Sequence, residues 1–289
     1  MAYQLRIAVR RPKPRLDRGG PSFVANGFAT FGSIVTLPGV YLYLPGAKMM
    51  DGGVETSPRL WARLAGAFYL ITIIMGVFAE VFVRGTLVVR DDAAATATNI
   101  LAHEPLYRLG LAADLIMLAS YIAVTLLFYS LFKSAGRSLS LLAAFSSLVG
   151  IAVLAVNSLN HLAPLVLLGN AHYLSAFEPT QLQALALIAL KMHARGYNIA
   201  GVFFGVYCLM IGYLVFRSGF LPRILGALMA IGGIGYVIDS FAIFLSPSFA
   251  AHLPDLSMLG GIAELALCLW LLVMGVDAGK ANARRISGA

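Results

Sequence analysis

The chain has 289 residues and a formal net charge of +8; 60% of it is hydrophobic, 12% is charged, and the mean hydropathy is +0.84. Soluble domains run nearer half apolar and a quarter charged, so no aqueous globule could hide this many apolar side chains. Disordered, collagen-like and disulfide-scaffold classes are excluded, and the solvent for most of the chain is lipid.

Residues 1–57 read as a basic extension. The first 22 carry Arg6, Arg10, Arg11, Lys13, Arg15 and Arg18 with three prolines, a composition that does not build a core and reads as disordered. Phe23 to Leu44 is moderately apolar but broken by Gly27, Gly32, Pro38 and Gly39. It could be a signal anchor or a seventh helix; no clean small-x-small cleavage site follows to mark a signal peptide. A simpler reading puts the translation start at Met49 or Met50, directly before the apolar segments.

A spanning helix needs about 20 apolar residues. Six segments qualify within residues 58–277: Trp61 to Val83, Leu109 to Phe132, Leu139 to Leu162, Tyr197 to Phe216, Ile224 to Leu245 and Met258 to Val276. The expected fold is therefore all-α, a polytopic bundle of six transmembrane helices. Arg59 and Arg63 precede the first span; Lys133 and Arg137, then Arg217 and Arg223, sit in short connections; Lys280, Arg284 and Arg285 occupy a basic tail, residues 278–289. Alternation puts all four regions on one side, which the positive-inside rule makes cytoplasmic, with both termini inside.

The long connections fall on the other side. Asp91-Asp92 ahead of a small-residue run, then His103-Glu104-Pro105, predict a short capped surface helix and a restart into the second span. Leu182 to Met192 follows a second helix-start signal at Glu178-Pro179. It reads either as an interfacial or re-entrant helix, or as an outward extension of the fourth span with Gly196 as a kink.

Ionisable residues inside spans are costly and are functional candidates by default. Here Asp114, Asn157, Asn160, His161, His193, Arg195, Asn198, Asp239 and Glu264 share one level, in the half of the bundle away from the basic turns. With Arg108 nearby, the pocket candidates are Arg108, Asp114, Asn157, His161, His193, Asp239 and Glu264. Three carboxylates at one depth need partners, and the sequence offers His161, His193, Arg108 and Arg195. The asparagines read more simply as interhelical glue, and Glu80 with Arg84, one turn apart, as a surface pair. Gly201-x-x-x-Gly205, extended by Gly212, and the cluster Gly232, Gly233 and Gly235 read as close-packing stripes.

No HExxH, P-loop or GxSxG motif is present. A zinc or iron site would have to be assembled across helices from His161, His193, Asp239 and Glu264. Cys208 and Cys268 sit in separate apolar stretches and read as packing residues. Seven of the 21 basic residues precede residue 49 and most others flank spans, which suits a lipid surface and not a nucleic acid.

Several stretches together resemble a known family. They are Asp91-Asp92-Ala-Ala-Ala-Thr-Ala-Thr-Asn-Ile-Leu, Tyr107-Arg-Leu-Gly, Tyr173-Leu-Ser-Ala-Phe-Glu-Pro-Thr-Gln-Leu-Gln-Ala-Leu-Ala, Ser218-Gly-Phe-Leu-Pro-Arg-Ile-Leu-Gly and Gly235-Tyr-Val-Ile-Asp239, with the Glu264 helix. Over roughly Pro58 to Val276 the chain is similar to the bacterial multi-pass membrane proteins grouped as DUF4386. The resemblance implies a protein of the bacterial inner membrane and carries no activity, cofactor or catalytic residue with it. Three functions fit the polar layer: a pocket for a small molecule, lipid headgroup or partner; a membrane-embedded hydrolase or transferase using a metal or acid–base pair; or a proton-coupled transporter. The last is disfavoured by the apolar inner halves of the spans.

Overall fold

The computed structural model describes residues 33–37, 40–44 and 57–287. The chain forms two units, Met1–Glu55 and Thr56–Ala289. In the first, strands β1 (Ser33–Leu37) and β2 (Val40–Leu44) pair antiparallel, with Ser33 opposite Leu44 and Leu37 opposite Val40. Residues 33–37 and 40–44 are therefore paired strands and not part of a seventh helix; Pro38 and Gly39 lie outside the described residues. The other expectations for residues 1–56 lie outside the described residues.

The second unit is helical. Helix α1 runs Pro58–Leu87, opening on a proline in its first turn and passing through a π-helical turn at Phe78–Arg84. The short α2 (Ala93–Ala102) starts at Asp92, whose side chain accepts from the Ala95 N–H at 2.8 Å. That is the cap expected from the sequence. Helix α3 (Glu104–Phe132) restarts at Glu104-Pro105. It is followed by α4 (Arg137–Leu167), α5 (Pro179–Ser218), α6 (Arg223–Leu245) and α7 (Ser257–Val273). Helix α8 (Ala278–Ser287) completes the order.

Helix α5 decides one open point. It is a single helix of 40 residues, so Leu182 to Met192 is its outward extension and not a separate interfacial helix. At a rise of about 1.5 Å per residue it is roughly 60 Å long, about twice the hydrocarbon thickness of a bilayer. A capping box between Glu178 and Gln181 begins it, and Gly219 at φ 72° ends it in the left-handed conformation that glycine adopts freely. Gly275 at φ 69° does the same after α7, where the chain turns by 101° into α8.

Five of these helices are long and apolar enough to cross a membrane, and six if α7 and α8 count as one bent span. Many large apolar side chains point away from neighbouring helices: Phe82, Ile116, Phe145, Val156, Phe216 and Ile231 are all exposed. On a protein dissolved in water so wide an apolar surface would aggregate; facing lipid tails it is the expected exterior.

The six long helices close into a ring. Each packs on the next in chain order, α1 on α3, α3 on α4, α4 on α5, α5 on α6, α6 on α7, and α7 returns to α1. Glycines set the closest approaches. A Cβ on Gly212 would lie 2.7 Å from the Gly226 carbonyl, and one on Gly205 2.8 Å from that of Gly233, so α5 and α6 meet backbone to backbone. On the other face of α6, a Cβ on Gly232 would lie 2.8 Å from Gly260 Cα. The core between α3, α4 and α5 is aromatic and aliphatic, centred on Phe128, Phe132, Tyr207, Ile211 and Leu214. The basic tail is helical and docked: Ala281 is buried, and an Arg284 guanidinium N–H donates to the Arg217 carbonyl.

Candidate functional site

The polar residues that the sequence puts at one level separate into two neighbouring places. The first is a buried cluster at α1, α3, α4 and α5. The π-helical turn, one residue wider than an α-turn, brings Arg84 into the bundle, where only 7% of its side chain is exposed. Its Nη1 donates to Asp114 Oδ2 at 2.6 Å and its Nη2 to Oδ1 at 3.3 Å, a bidentate pair. Its Nε donates to Glu80 Oε2 at 2.8 Å. The Glu80 pairing expected from the sequence is therefore present, but Arg84 is not a surface residue; its main partner is Asp114, 30 positions away.

Asp114 also holds a histidine. His161 Nδ1 lies 2.8 Å from Asp114 Oδ2 and 3.1 Å from Arg84 Nη1. One nitrogen cannot serve both: Nδ1–H donates to the carboxylate, and the Arg84 contact is then two donors side by side that share Asp114 Oδ2 as their acceptor. His161 is fully buried between the Tyr107 ring, 4.7 Å away edge-on, and the His193 ring at 5.2 Å. The Tyr107 hydroxyl donates to the His161 carbonyl at 2.7 Å. His193 is held from α4: its Nδ1 donates to the Asn157 carbonyl at 3.1 Å, and Asn157 Nδ2 donates to the His193 carbonyl at 2.8 Å. This reciprocal pair needs a close approach of α4 and α5. Gly196 permits it, since a Cβ there would fall 2.2 Å from Asn157 Cγ.

Both Nδ1 atoms are engaged, which leaves the two Nε2 atoms. Both Nε2 atoms are buried and have no hydrogen-bond partner among the described residues. Asp114, His161 and His193 each offer a ligand atom within 4.8 Å of the others, so this corner could hold a metal ion. The donor set differs from the expected one. The two histidines converge, but Asp114 joins them and not Asp239 or Glu264, because those acids sit on α6 and α7 and line a separate space. Arg108 is corrected as well. It is exposed and pairs with Glu104 at 2.7 Å, one turn away on the surface of α3. Arg195 is likewise exposed.

The second place is a cavity of about 600 Å³ inside the helix ring. All six helices contribute to its wall, through Thr72 and Ile73 of α1, Met117 and Tyr121 of α3, Leu154 of α4, Tyr197 to Phe204 of α5, Tyr236 to Ser240 of α6 and Ser257 to Leu265 of α7. Asn198, Asp239, Ser240 and Glu264 are polar members of its wall, with Thr72, Ser257 and the three tyrosines Tyr121, Tyr197 and Tyr236. The Glu264 carboxyl touches Cys208 Sγ at 3.5 Å, and Tyr69 and Tyr236 stand beside it. Tyr197 belongs to both places: its ring lines the cavity, while its hydroxyl donates to Asp114 Oδ1 at 3.4 Å.

The chain belongs to the DUF4386 family. The model of that family, described as a domain of unknown function, matches residues 64–275, the whole helix ring from the first turns of α1 to the end of α7. The chain is also similar to an uncharacterized protein of the archaeon Archaeoglobus fulgidus, 31% identical over 78 residues. That match covers 27% of this chain and 45% of the relative, so the chain spans under half the relative's length. No solved structure matches. The expectation of a bacterial protein rests on the resemblance alone, and this relative is archaeal.

Sequence reasoning missed Arg84, Tyr107, Tyr121, Tyr197 and Tyr236. For Arg84 a signal existed, because the apolar run continues past it through Leu87-Val88-Val89. That places the arginine inside the span and not at its edge. The tyrosines carry no such signal, since a tyrosine in an apolar helix counts as apolar in any hydropathy reading.

Proposed function

We propose that this member of DUF4386 is a membrane-embedded binding protein whose helix ring receives one small amphiphilic molecule. The observation that carries the reading is the cavity of about 600 Å³ at the centre of the ring, with apolar walls and a few converging polar groups. Pockets for small molecules commonly have about 300–1,000 Å³ and this balance of wall and anchor. Ile73, Met117, Leu154 and Phe204 would take the apolar part of the ligand, and Asn198, Asp239, Ser240 and Glu264 its polar end.

Gly261 gives a clean test. It lies on the cavity wall, and a Cβ added there meets nothing within 4 Å. Gly261→Phe therefore starts its side chain in open space beside the cavity and is chosen to fill it. Full-length protein purified in mild detergent should release a small molecule on organic extraction at about one per chain. The same purification of Gly261→Phe should release at least about tenfold less, the ratio set by losing about 1.4 kcal/mol of binding. Equal recovery from both proteins overturns the cavity as the binding site.

A second reading rests on the two buried, unpartnered Nε2 atoms and on the closeness of His161, His193 and Asp114, a donor set that suits a zinc-type ion. Such an ion would polarise a carbonyl or a bound water for hydrolysis of a lipid or envelope substrate. Arg84 stands against it, because a guanidinium already bound to Asp114 repels a dication at the same carboxylate. Elemental analysis of untagged protein and of His161→Ala separates the readings. About one metal per chain, absent from the variant, supports the metal site; none in either removes it.

A further inference from the structure

The three acids that face the interior differ in how their charge is met. Asp114 has a guanidinium on it and an imidazole beside it. Glu264 has Cys208, Tyr69 and Tyr236 around it and no basic side chain. Asp239, on the same cavity wall, has an acid, Asp255, as its charged neighbour. So two carboxyl groups face one space with no cation supplied among the described residues. Ionised carboxylates removed from water need a counter-charge or a full set of donors.

The rest of the wall has a matching character. Tyr121, Phe204 and Tyr236 line the same space. Tyr121 and Phe204 are 5.0 Å apart between ring centroids, and Tyr69 stacks behind Tyr121 at 5.8 Å. The Tyr121 side chain is 6% exposed and its hydroxyl makes no hydrogen bond with any described residue. Tyr207, also buried near the same acid, likewise has a hydroxyl without a partner among the described residues. Aromatic faces with a nearby carboxylate form the recurring receptor for organic ammonium groups, because the ring quadrupole and the carboxylate both attract positive charge. The cavity is far larger than a bare metal ion needs, and its remaining wall is apolar.

Resting on the cavity reading above, we infer that the ligand is an amphiphilic organic cation, an ammonium group on an apolar body, with its charged end between Glu264 and the rings of Tyr121 and Tyr236. Tyrosine hydroxyls that lack protein partners would then accept from the ammonium N–H groups. The apolar body would lie along Ile73, Met117 and Phe204.

The experiment compares matched probes on the full chain in nanodiscs of zwitterionic lipid: 4-phenylbutylamine, charged at neutral pH, and 4-phenylbutanol, its neutral counterpart. Equilibrium dialysis reads their binding to wild type, Glu264→Gln, Asp239→Asn and Gly261→Phe. The amine should bind wild type at least about tenfold more tightly than the alcohol. Glu264→Gln should remove that preference while the alcohol still binds, and Asp239→Asn should reduce it. Gly261→Phe should abolish both. Equal binding of amine and alcohol, with both lost in Gly261→Phe, overturns the cationic ligand and leaves the cavity reading standing. Binding unaffected by Gly261→Phe, or no binding of either probe, overturns both. An amine preference that persists in Glu264→Gln and in Asp239→Asn also overturns the inference, since the charge would then be met elsewhere.

Discussion

Arg84 and Asp114 form a buried ion pair, and such pairs are judged by what is left when one member goes. Asp114→Ala strands a guanidinium that is 7% exposed and deprives His161 of its orienting acceptor. Removing one partner of a buried pair costs about 3–5 kcal/mol. Replacing both members with apolar residues costs less, because neither charge is then left alone. Thermal unfolding in detergent should therefore show Asp114→Leu with Arg84→Met to be more stable than Asp114→Leu by itself; an equal or lower midpoint for the double variant contradicts the pairing. Gly196 and Asn157 make a similar test of geometry. Gly196→Ala drives a Cβ into the Asn157 amide and should cost about 1–3 kcal/mol, the usual range for overpacking. Adding Asn157→Ala should recover part of that loss, while additive losses would show that the contact is not the cause. The sequence makes the presence of these polar residues plain and their pairing opaque. Asp114, His161 and His193 are recognisable as candidates because each interrupts an apolar run, yet which acid meets the histidines depends on helix neighbours. Arg84 was hidden by a simpler explanation one turn away.

At the scale of elements, most helix starts were legible because they are local chemistry. Asp92 caps α2 and Glu178 caps α5 through short-range side-chain hydrogen bonds, while α3 opens on the preset backbone of Pro105 in its first turn. What followed Glu178 was not settled by the same signals. A helix that continues through Gly196 and one that breaks there share the same start; in the folded chain the helix runs on, with Gly196 packed directly against Asn157. The outer part of α5 is also tied to the chain before α2, where Lys191 Nζ donates to Asp91 Oδ1 at 2.5 Å. Asp91 sits at φ 59°, a left-handed conformation that aspartate tolerates better than most residues. The Lys191 ammonium holds the Asp91 carboxyl below its ordinary range. A carboxyl lowered in the folded state contributes fully above its unfolded value of about 3.9 and loses the contribution as pH falls through the lowered value. Protection factors of the α2 amides, with the intrinsic pH dependence of exchange divided out, should therefore hold from neutral pH down to about 4 and fall only in stronger acid. Asp91→Asn should remove that acid step with little effect near neutrality, as expected of an exposed pair; an acid step that survives the substitution contradicts the tether.

For the whole molecule, the number of spans and their apolar exterior follow from hydropathy alone. The closure of α7 onto α1 does not. A linear string of apolar helices can pack as a row, a bundle or a ring, and the choice is made by small residues. Gly66 is the clearest case: a Cβ there would fall 2.6 Å from the Leu272 backbone nitrogen, so α1 and α7 approach at the distance that closes the ring. Closure is also what creates the cavity, which is why Glu264 and Asp239 could be singled out by sequence but not separated from the histidines. The basic turns imply an orientation. Ser134, in the turn between α3 and α4, should face the cytoplasm, and Ser175, in the connection before α5, the opposite side. On intact cells a membrane-impermeant thiol reagent should label Ser175→Cys and spare Ser134→Cys until the membrane is opened; the reverse pattern inverts the protein.

A cryo-electron-microscopy map of the full chain in nanodiscs would show whether six helices surround a ligand cavity. Non-protein density is expected inside the ring, bounded by Tyr121, Phe204, Tyr236 and Glu264 and lost in Gly261→Phe. A ring collapsed inward, with α7 packed directly against α3 and α5 and no space between them, would contradict it.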